Sequence, residues 1–267
     1  MTGRPRIITD NRSFSQQYKN LASGDCICGR LRLRPGEEHL LLDLSARGIV
    51  GIPSFLSQLC SRSKVFQTRL FSSHMLPGTQ VIYTIHDLLE AITEYGRENR
   101  GDVIVKLEGK NAGLGILKFA SIEDVYSQSV LDQLPYPYVI QPFVPELRDL
   151  RVIIIDDYTE AYERSNPHSF RNNLHCGGGA APVDLTDQQQ GLCTAVMERG
   201  GFPYAHLDLI VAGDGGSYMN EINLRGGLRG ARIHADDYQL RIEQAEEKRC
   251  RMLLEKSFQG GGKIIKT

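Results

Sequence analysis

Leu207-Asp208-Leu209-Ile210-Val211, then Gly213-Asp214-Gly215-Gly216, then Ser217-Tyr218-Met219-Asn220-Glu221-Ile222-Asn223 is the stretch whose reading decides the fold. Each flank reads as a short buried strand, and the glycine-rich insert reads as a hairpin turn. Side chains alternate along a strand, so Glu221 and Asn223 share a face, and Asp208 on the neighbouring strand can join them. Three oxygen-bearing side chains on an apolar hairpin suit a hard cation such as magnesium, with manganese as the alternative. Taken alone, the same residues read equally well as an ordinary hairpin whose polar side chains face water.

Working outward, 267 residues suffice for a substantial core and one or two domains. The composition, 24% charged and 41% apolar, is that of a globular chain, and a net charge of -1 gives no case for nucleic acid or an anionic membrane as the main partner. No apolar run approaches the roughly 20 residues of a membrane span, and Met1-Thr2-Gly3-Arg4-Pro5-Arg6 opens no signal peptide. The six cysteines include no CxxC pair, and the seven histidines form no HxxxH pattern. Reduced thiols in a cytoplasmic protein are expected rather than a zinc site.

Strand and helix patterns interleave, which points to mixed α/β or α+β layers. Residues 1–62 read as a small α/β unit, with strands at Ile7-Ile8-Thr9, from Cys26 to Arg34 and at His39-Leu40-Leu41-Leu42-Asp43-Leu44, and with Pro53 opening a helix that runs to Cys60. A further helical stretch follows Ser61-Arg62-Ser63-Lys64. Val81-Ile82-Tyr83, Asp102 to Lys106 and Ile116 to Phe119 read as strands. Thr84 to Tyr95 reads as an amphipathic helix, and Ser121 as a helix start. Tyr138 to Val144 is extended, Arg151 to Asp156 is a β-branched strand, and Asp187 to Arg199 is a helix closed by Gly200-Gly201. A charged helix from about Asp236 to Lys256 ends in a glycine-rich tail, 257–267.

Lys106 ends a strand and is followed by Leu107-Glu108-Gly109-Lys110-Asn111-Ala112-Gly113-Leu114-Gly115. Glycines let backbone amides approach phosphate oxygens, and a strand-borne lysine neutralises them. The spacing is not that of a P-loop, a Rossmann fingerprint or a kinase glycine loop. Order adds what single motifs lack: Lys64, then Lys106 with its glycine loop, then Gln141-Pro142-Phe143-Val144, then Asp149-Leu150-Arg151-Val152, Arg164, Ser169-Phe170-Arg171-Asn172-Asn173, and finally Asp208, Glu221 and Asn223. In that order and spacing, roughly residues 60 to 232 resemble the ATP-grasp superfamily, specifically its RimK-type and glutathione-synthetase-like ligases.

The resemblance implies two lobes with antiparallel sheets that hold ATP, here 63–140 and 141–256, preceded by a shortened N-terminal unit. It implies ATP contacts from Lys64, Lys106, Gly109, Gly113, Gly115 and Asn173, and adenine-edge contacts from the backbone of Gln141, Phe143 and Val144. The family usually carries Glu where this chain has Pro142, which has no N–H to donate. Arg151, Arg164 and Arg171 match the arginines that steady the phosphates and an acyl phosphate, a task suited to a permanently charged, bidentate guanidinium. Asp208, Glu221 and Asn223 become the metal set, and Arg225 and Arg229 beyond them are candidates for a substrate carboxylate. The activity implied is ligation of a small-molecule or peptide carboxylate to an amine, such as the addition of glutamate. A kinase on the same fold and a nucleotide-binding module without turnover are the competing readings. The short N-terminal unit leaves the remaining wall of the site to a second copy of the chain or to a larger acceptor.

Overall fold

The computed structural model describes residues 5–110, 114–171 and 178–259, with the side chains of all of these except 254 and 256–259. Gly113, Asn173 and Cys176 lie outside the described residues, as does the tail from residue 260.

The N-terminal unit is a parallel sheet in the order β1 (Ile7–Ile8), β2 (Cys26–Cys28), β3 (Val50–Ile52). It carries helices α1 (Asn11–Gln17), α2 (His39–Ala46) and α3 (Phe55–Cys60). Asp10 caps α1 by accepting from the Arg12 and Ser13 N–H groups. The segment from His39 to Leu44, expected as a strand, is the helix α2. Its buried positions are Leu41 and Leu44, three residues apart on one helical face, while Leu42 is 63% exposed. A run of leucines is ambiguous in period, and the three-residue spacing decided it. The expected strand from Cys26 stops at Cys28. Ser54, not Pro53, starts α3, its hydroxyl accepting from the Ser57 N–H.

The next segment holds α4 (Lys64–Leu70), β4 (Gln80–Ile82), α5 (Ile85–Arg97), β5 (Val103–Leu107), β6 (Ile116–Phe119), α6 (Ile122–Val130) and β7 (Tyr138–Pro142). The four strands form an antiparallel sheet in the order β4-β7-β5-β6. Thr84 and Asp87 make a capping box at the start of α5. Val103, Val105, Tyr138 and Ile140 share a core with Leu88, Ala91 and Tyr95 of α5 and Val125 of α6. Alternation therefore puts Ile104, Lys106, Val139 and Gln141 on the opposite face, away from those helices.

The remainder holds β8 (Arg148–Ile155), β9 (Tyr158–Ser165), β10 (Gly179–Val183), α7 (Asp187–Gly200), β11 (Tyr204–Val211), β12 (Ser217–Asn223) and α8 (Ala235–Gln259). Its antiparallel sheet runs β10-β9-β8-β11-β12. β9 and β10 were not legible as strands, because their residues are charged or small rather than alternating apolar. Leu150, Val152, Leu207 and Leu209 line one face and share a core with Cys193 and Val196 of α7. The helix α7 ends at Gly201 with φ +64°, a left-handed conformation that glycine adopts without strain. At one end of the other face α8 packs down, with Tyr238 Oη bonded to His206 Nε2 at 2.8 Å and Tyr204 Oη donating to Glu246. The rest of that face lies beyond the reach of these α8 contacts. None of the described helices is long and apolar enough to cross a membrane.

Candidate active site

Pairing register lines up the polar residues of the large sheet in rows. Asp208 pairs with Arg151 on β8 and with Glu221 on β12, and Arg151 pairs with Tyr162 on β9. One row further, His206 pairs with Asn223 and with Ile153, which pairs with Glu160. On the other side, Asp149 pairs with Arg164. Directly opposed residues of an antiparallel sheet share a face, so Arg151, Arg164, Asp208, Glu221 and Asn223 meet on one surface.

Asp208 accepts a two-pronged pair from Arg151, Nε to Oδ1 at 2.7 Å and Nη2 to Oδ2 at 2.8 Å, and its Oδ2 lies 3.0 Å from Arg164 Nη2. Arg164 Nε also donates to Asp149 at 3.1 Å. Burial disfavours a charged Asp208, but the Arg151 and Arg164 guanidinia overcome it and hold the carboxyl well below the usual range. Asp149 receives less compensation: burial, with Asp208 adding to it, pushes its carboxyl up to about 6 against the pull of Arg164. Asn223 Nδ2 donates to Glu221 Oε1 at 3.0 Å.

The small sheet contributes Lys106. Its Nζ donates to Asn220 Oδ1 at 2.6 Å and to the Asn220 carbonyl at 3.3 Å. Asn220 is free to accept because the β11–β12 register shifts between Asp208 and Leu209, a bulge that re-aims the strand. Burial lowers the Lys106 ammonium to about 8, with Lys64 acting the same way and Glu221 and Asp208 opposing. Lys64, at the first turn of α4, donates to the Lys110 carbonyl, and Glu108 accepts the Val65 N–H at 3.1 Å. Both ends of this contact tie α4 to the glycine loop. Gly109 has φ +68°, and a Cβ on Gly115 would lie 2.4 Å from Lys110 Cβ, so the loop needs glycine at both positions.

Helix α4 also holds the metal-candidate strand. Gln67 accepts the Ile222 N–H at 3.0 Å and donates to the Ile222 and Cys60 carbonyls at 2.9 and 3.0 Å. Ser61 Oγ accepts the Leu224 N–H at 3.0 Å.

Other candidates lie further out. The Phe143 N–H is taken by the Asp102 carbonyl at 2.8 Å, so the expected adenine contact through that group is not open. Gln141 is buried on the Lys106 face, and Val144 is partly buried. Lys118 Nζ sits 3.7 Å above the Phe143 ring, which meets Phe170 edge to face. Arg171 stacks on Phe170 and donates to the Ile116 carbonyl of β6, bridging the lobes instead of joining Arg151 and Arg164. Arg225 turns toward α8, donating to Gln239 Oε1 at 2.7 Å, and Arg229 is exposed.

The donor set suits a magnesium ion. Glu221, Asn223 and Asp208 present hard oxygens on one face, and such an ion needs few protein ligands because it keeps water and phosphate oxygens. Among the described residues no three His, Cys, Asp or Glu side chains cluster as metal ligands; the candidate set is two carboxylates and one amide. Asp208 fits by position, with both its oxygens already bound by arginine.

Sequence reasoning did not assign roles to Asp149, Asn220, Gln67 or His206. Asp149 and His206 each sit two residues before a named site residue, so strand alternation was a usable signal for them. Asn220 depends on a bulge, and Gln67 on a contact across 155 residues of chain. Two buried atoms on this face, Glu160 Oε1 and His206 Nδ1, have no hydrogen-bond partner among the described residues. Burial, reinforced by Arg151 and Arg164, drives the His206 imidazole down to about 3, so it is neutral.

Comparison with known proteins identifies the family and the fold. The family model described as the RimK-like ATP-grasp domain matches residues 62–243. A glutathione synthetase of Agrobacterium fabrum is 28% identical over 208 residues, which cover 71% of this chain and 60% of that enzyme. A probable alpha-L-glutamate ligase of Aeromonas salmonicida is 26% identical, covering 64% of this chain and 58% of the relative. The chain thus spans about three-fifths of the length of these relatives. Among solved structures, D-cycloserine synthetase DcsG superposes with a TM-score of 0.60 at 16% identity, covering 84% of this chain and 83% of that one. That likeness establishes the shared fold.

Proposed function

The chain belongs to the RimK-like ATP-grasp family, and from that premise we propose that it is an ATP- and magnesium-dependent ligase joining a carboxylate to an amine. The observation that carries the reading is the meeting of Lys106, from one antiparallel sheet, with the Arg151–Asp208–Glu221 row of the other. ATP lying between the sheets would find Lys106 and Lys64 for its phosphates and the glycine loop, Gly109 to Gly115, above them. Glu221, Asn223 and Asp208 would hold magnesium, which supplies charge neutralisation across neighbouring phosphate oxygens.

A carboxylate is a poor electrophile. Transfer of the γ-phosphoryl group makes it an acyl phosphate and releases ADP; an amine then attacks the carbonyl carbon and phosphate leaves. The protein's part is positioning and charge stabilisation. Arg151 and Arg164 face the negative charge that builds on the transferred group, and Asp149 keeps Arg164 oriented. For this, the guanidinia must exchange Asp208 for phosphate oxygens, a swap between charge-assisted bonds of like kind. Arg171 bridges the lobes over the site. Glutamate is the amino acid to try first, because one relative is a probable alpha-L-glutamate ligase. The five free cysteines among the described residues suit a reducing, cytoplasmic setting.

The test is ADP release with ATP, magnesium and pools of amino acids and short peptides, followed by mass spectrometry. A product lighter by one water than its two substrates supports ligation. A product heavier by one phosphoryl group, or no ADP from any pool despite measurable ATP binding, counts against it.

A further inference from the structure

Lys106 carries its charge on a flexible stem, so the direction of its ammonium depends on what holds it. The backbone beneath is fixed, because Lys106 pairs with Ile116 on β6 and with Val139 on β7. The side chain is buried and crosses from that sheet to the other. There its Nζ donates to Asn220 Oδ1 at 2.6 Å and to the Asn220 carbonyl at 3.3 Å. An ammonium has three N–H donors. One residue engages two of them, and the third remains for another acceptor.

Asn220 holds this place through the bulge. The β11–β12 ladder passes from Asp208–Glu221 to Leu209–Met219, so Asn220 is the extra residue with no register partner on β11. In an unbroken strand Met219 and Glu221 would share a face. Here Met219 lies in the core with Leu209, while Glu221 pairs with Asp208 on the site face. The same residue therefore turns Glu221 toward the site and offers Lys106 a side-chain oxygen and a carbonyl. Both neighbours of this point are anchored: Met219 bridges to Met75, and the Gln67 amide holds Ile222. An amide orients the ammonium and leaves its charge in place, whereas a carboxylate would cancel the charge that attracts a phosphate.

We propose that Asn220 is a positioning residue of the nucleotide site: by engaging two donors of Lys106 it aims the third at a phosphate oxygen and ties that lysine to the strand bearing Glu221 and Asn223. This role rests on the reading above that ATP lies between the two sheets, and it is exerted through Lys106. A stem already held in place need not be ordered when the nucleotide arrives, so the affinity that ordering would cost is kept. It also joins the grip on the phosphates to the position of the metal-candidate residues, because one strand carries both.

Isothermal titration of the full chain with AMPPNP and magnesium tests this in a cycle of wild type, Asn220→Leu, Lys106→Met and the double variant. Leucine keeps the shape of asparagine and removes its oxygen. Asn220→Leu is expected to weaken AMPPNP binding about ten-fold, since one bond to a charged donor is lost while the carbonyl bond stays. In the Lys106→Met background the same change is expected to alter affinity by less than about two-fold, because the group through which Asn220 acts is gone. Adenosine, measured by displacement of AMPPNP, is expected to bind wild type and Asn220→Leu equally, since it has no phosphate. Asn220→Ser, which adds no apolar side chain, takes the same place in the cycle should Asn220→Leu fail to fold. Unchanged or tighter AMPPNP binding in the Asn220 variant, an equal loss in the Lys106→Met background, or a parallel loss for adenosine overturns the proposal. Wild type that shows this coupling yet forms no ADP with any substrate pool supports Asn220 and counts against the ligase. Ligation by a wild type whose AMPPNP affinity does not respond to Asn220→Leu supports the ligase and overturns the role of Asn220.

Discussion

Replacing Gln67 tests how the strand bearing Glu221 and Asn223 is held. Gln67 is 2% exposed, and β12 is an edge strand of its sheet. The Gln67 amide stands where a further strand's peptide group would, accepting the Ile222 N–H and donating to the Ile222 and Cys60 carbonyls. Gln67→Met keeps length and volume while removing all three bonds, leaving a buried N–H and two carbonyl oxygens short of a partner. One unpaired buried donor costs ~1–3 kcal/mol, and carbonyls with a second lone pair lose less, so the expected loss is ~2–4 kcal/mol. Gln67→Glu divides this by protonation state. The neutral acid still accepts the N–H and donates one O–H; the ionised form turns negative charge on two carbonyl oxygens. Its folded pKa therefore lies above the unfolded value of about 4.3, and the stability it contributes is present below that value and lost as pH rises through the folded one. Urea unfolding followed by circular dichroism at about pH 4.5 and about pH 7.5, always against wild type, reads both effects. Gln67→Met within about 0.5 kcal/mol of wild type, or a Gln67→Glu deficit that does not grow with pH, refutes the reasoning.

Lys106→Met is expected to weaken ATP binding at least ten-fold by calorimetry. In the wild type, affinity is expected to fall as pH rises through about 8, where the free enzyme's Lys106 loses its proton; an affinity that is flat across that range removes Lys106 from the phosphate site. His206 and Asp149 oppose each other in acid. The His206 pKa drops to about 3, so its contribution is present above about 6.5 and lost as pH falls. The Asp149 pKa rises to about 6, so its contribution is present below about 3.8 and lost as pH rises. Between these limits the two slopes cancel, and His206→Gln should expose a stability that declines with rising pH by up to ~1.4 kcal/mol per unit; an unchanged profile contradicts a neutral buried imidazole. Asp208→Asn strands the buried Arg151 guanidinium, while Arg164 keeps Asp149, and is expected to cost ~3–5 kcal/mol in urea unfolding; a near-neutral result would show that Arg151 repartners freely.

Much of the fold was legible because its strands are period-two runs with turn residues between them. The β11–β12 hairpin, β5, β7 and β8 follow from alternation and β-branching, and α5 and α7 from caps that the sequence spells out. His39 to Leu44 is apolar at every other reading of its period, and β9 and β10 owe their strand conformation to pairing with β8 rather than to their own side chains.

Residue order alone determined the family, the two gripping sheets and the shared face of Glu221 and Asn223, because order and two-residue alternation are properties of a chain. Tertiary structure alone decided what those residues touch. Pairing register set Asp208 between Arg151 and Glu221, a bulge freed Asn220 for Lys106, and α4 reached across to hold β12. It turned Arg171 toward the opposite sheet and Arg225 toward α8. Such choices depend on which buried donors and charges find partners once the sheets pack, and no local pattern encodes a partner more than a hundred residues away.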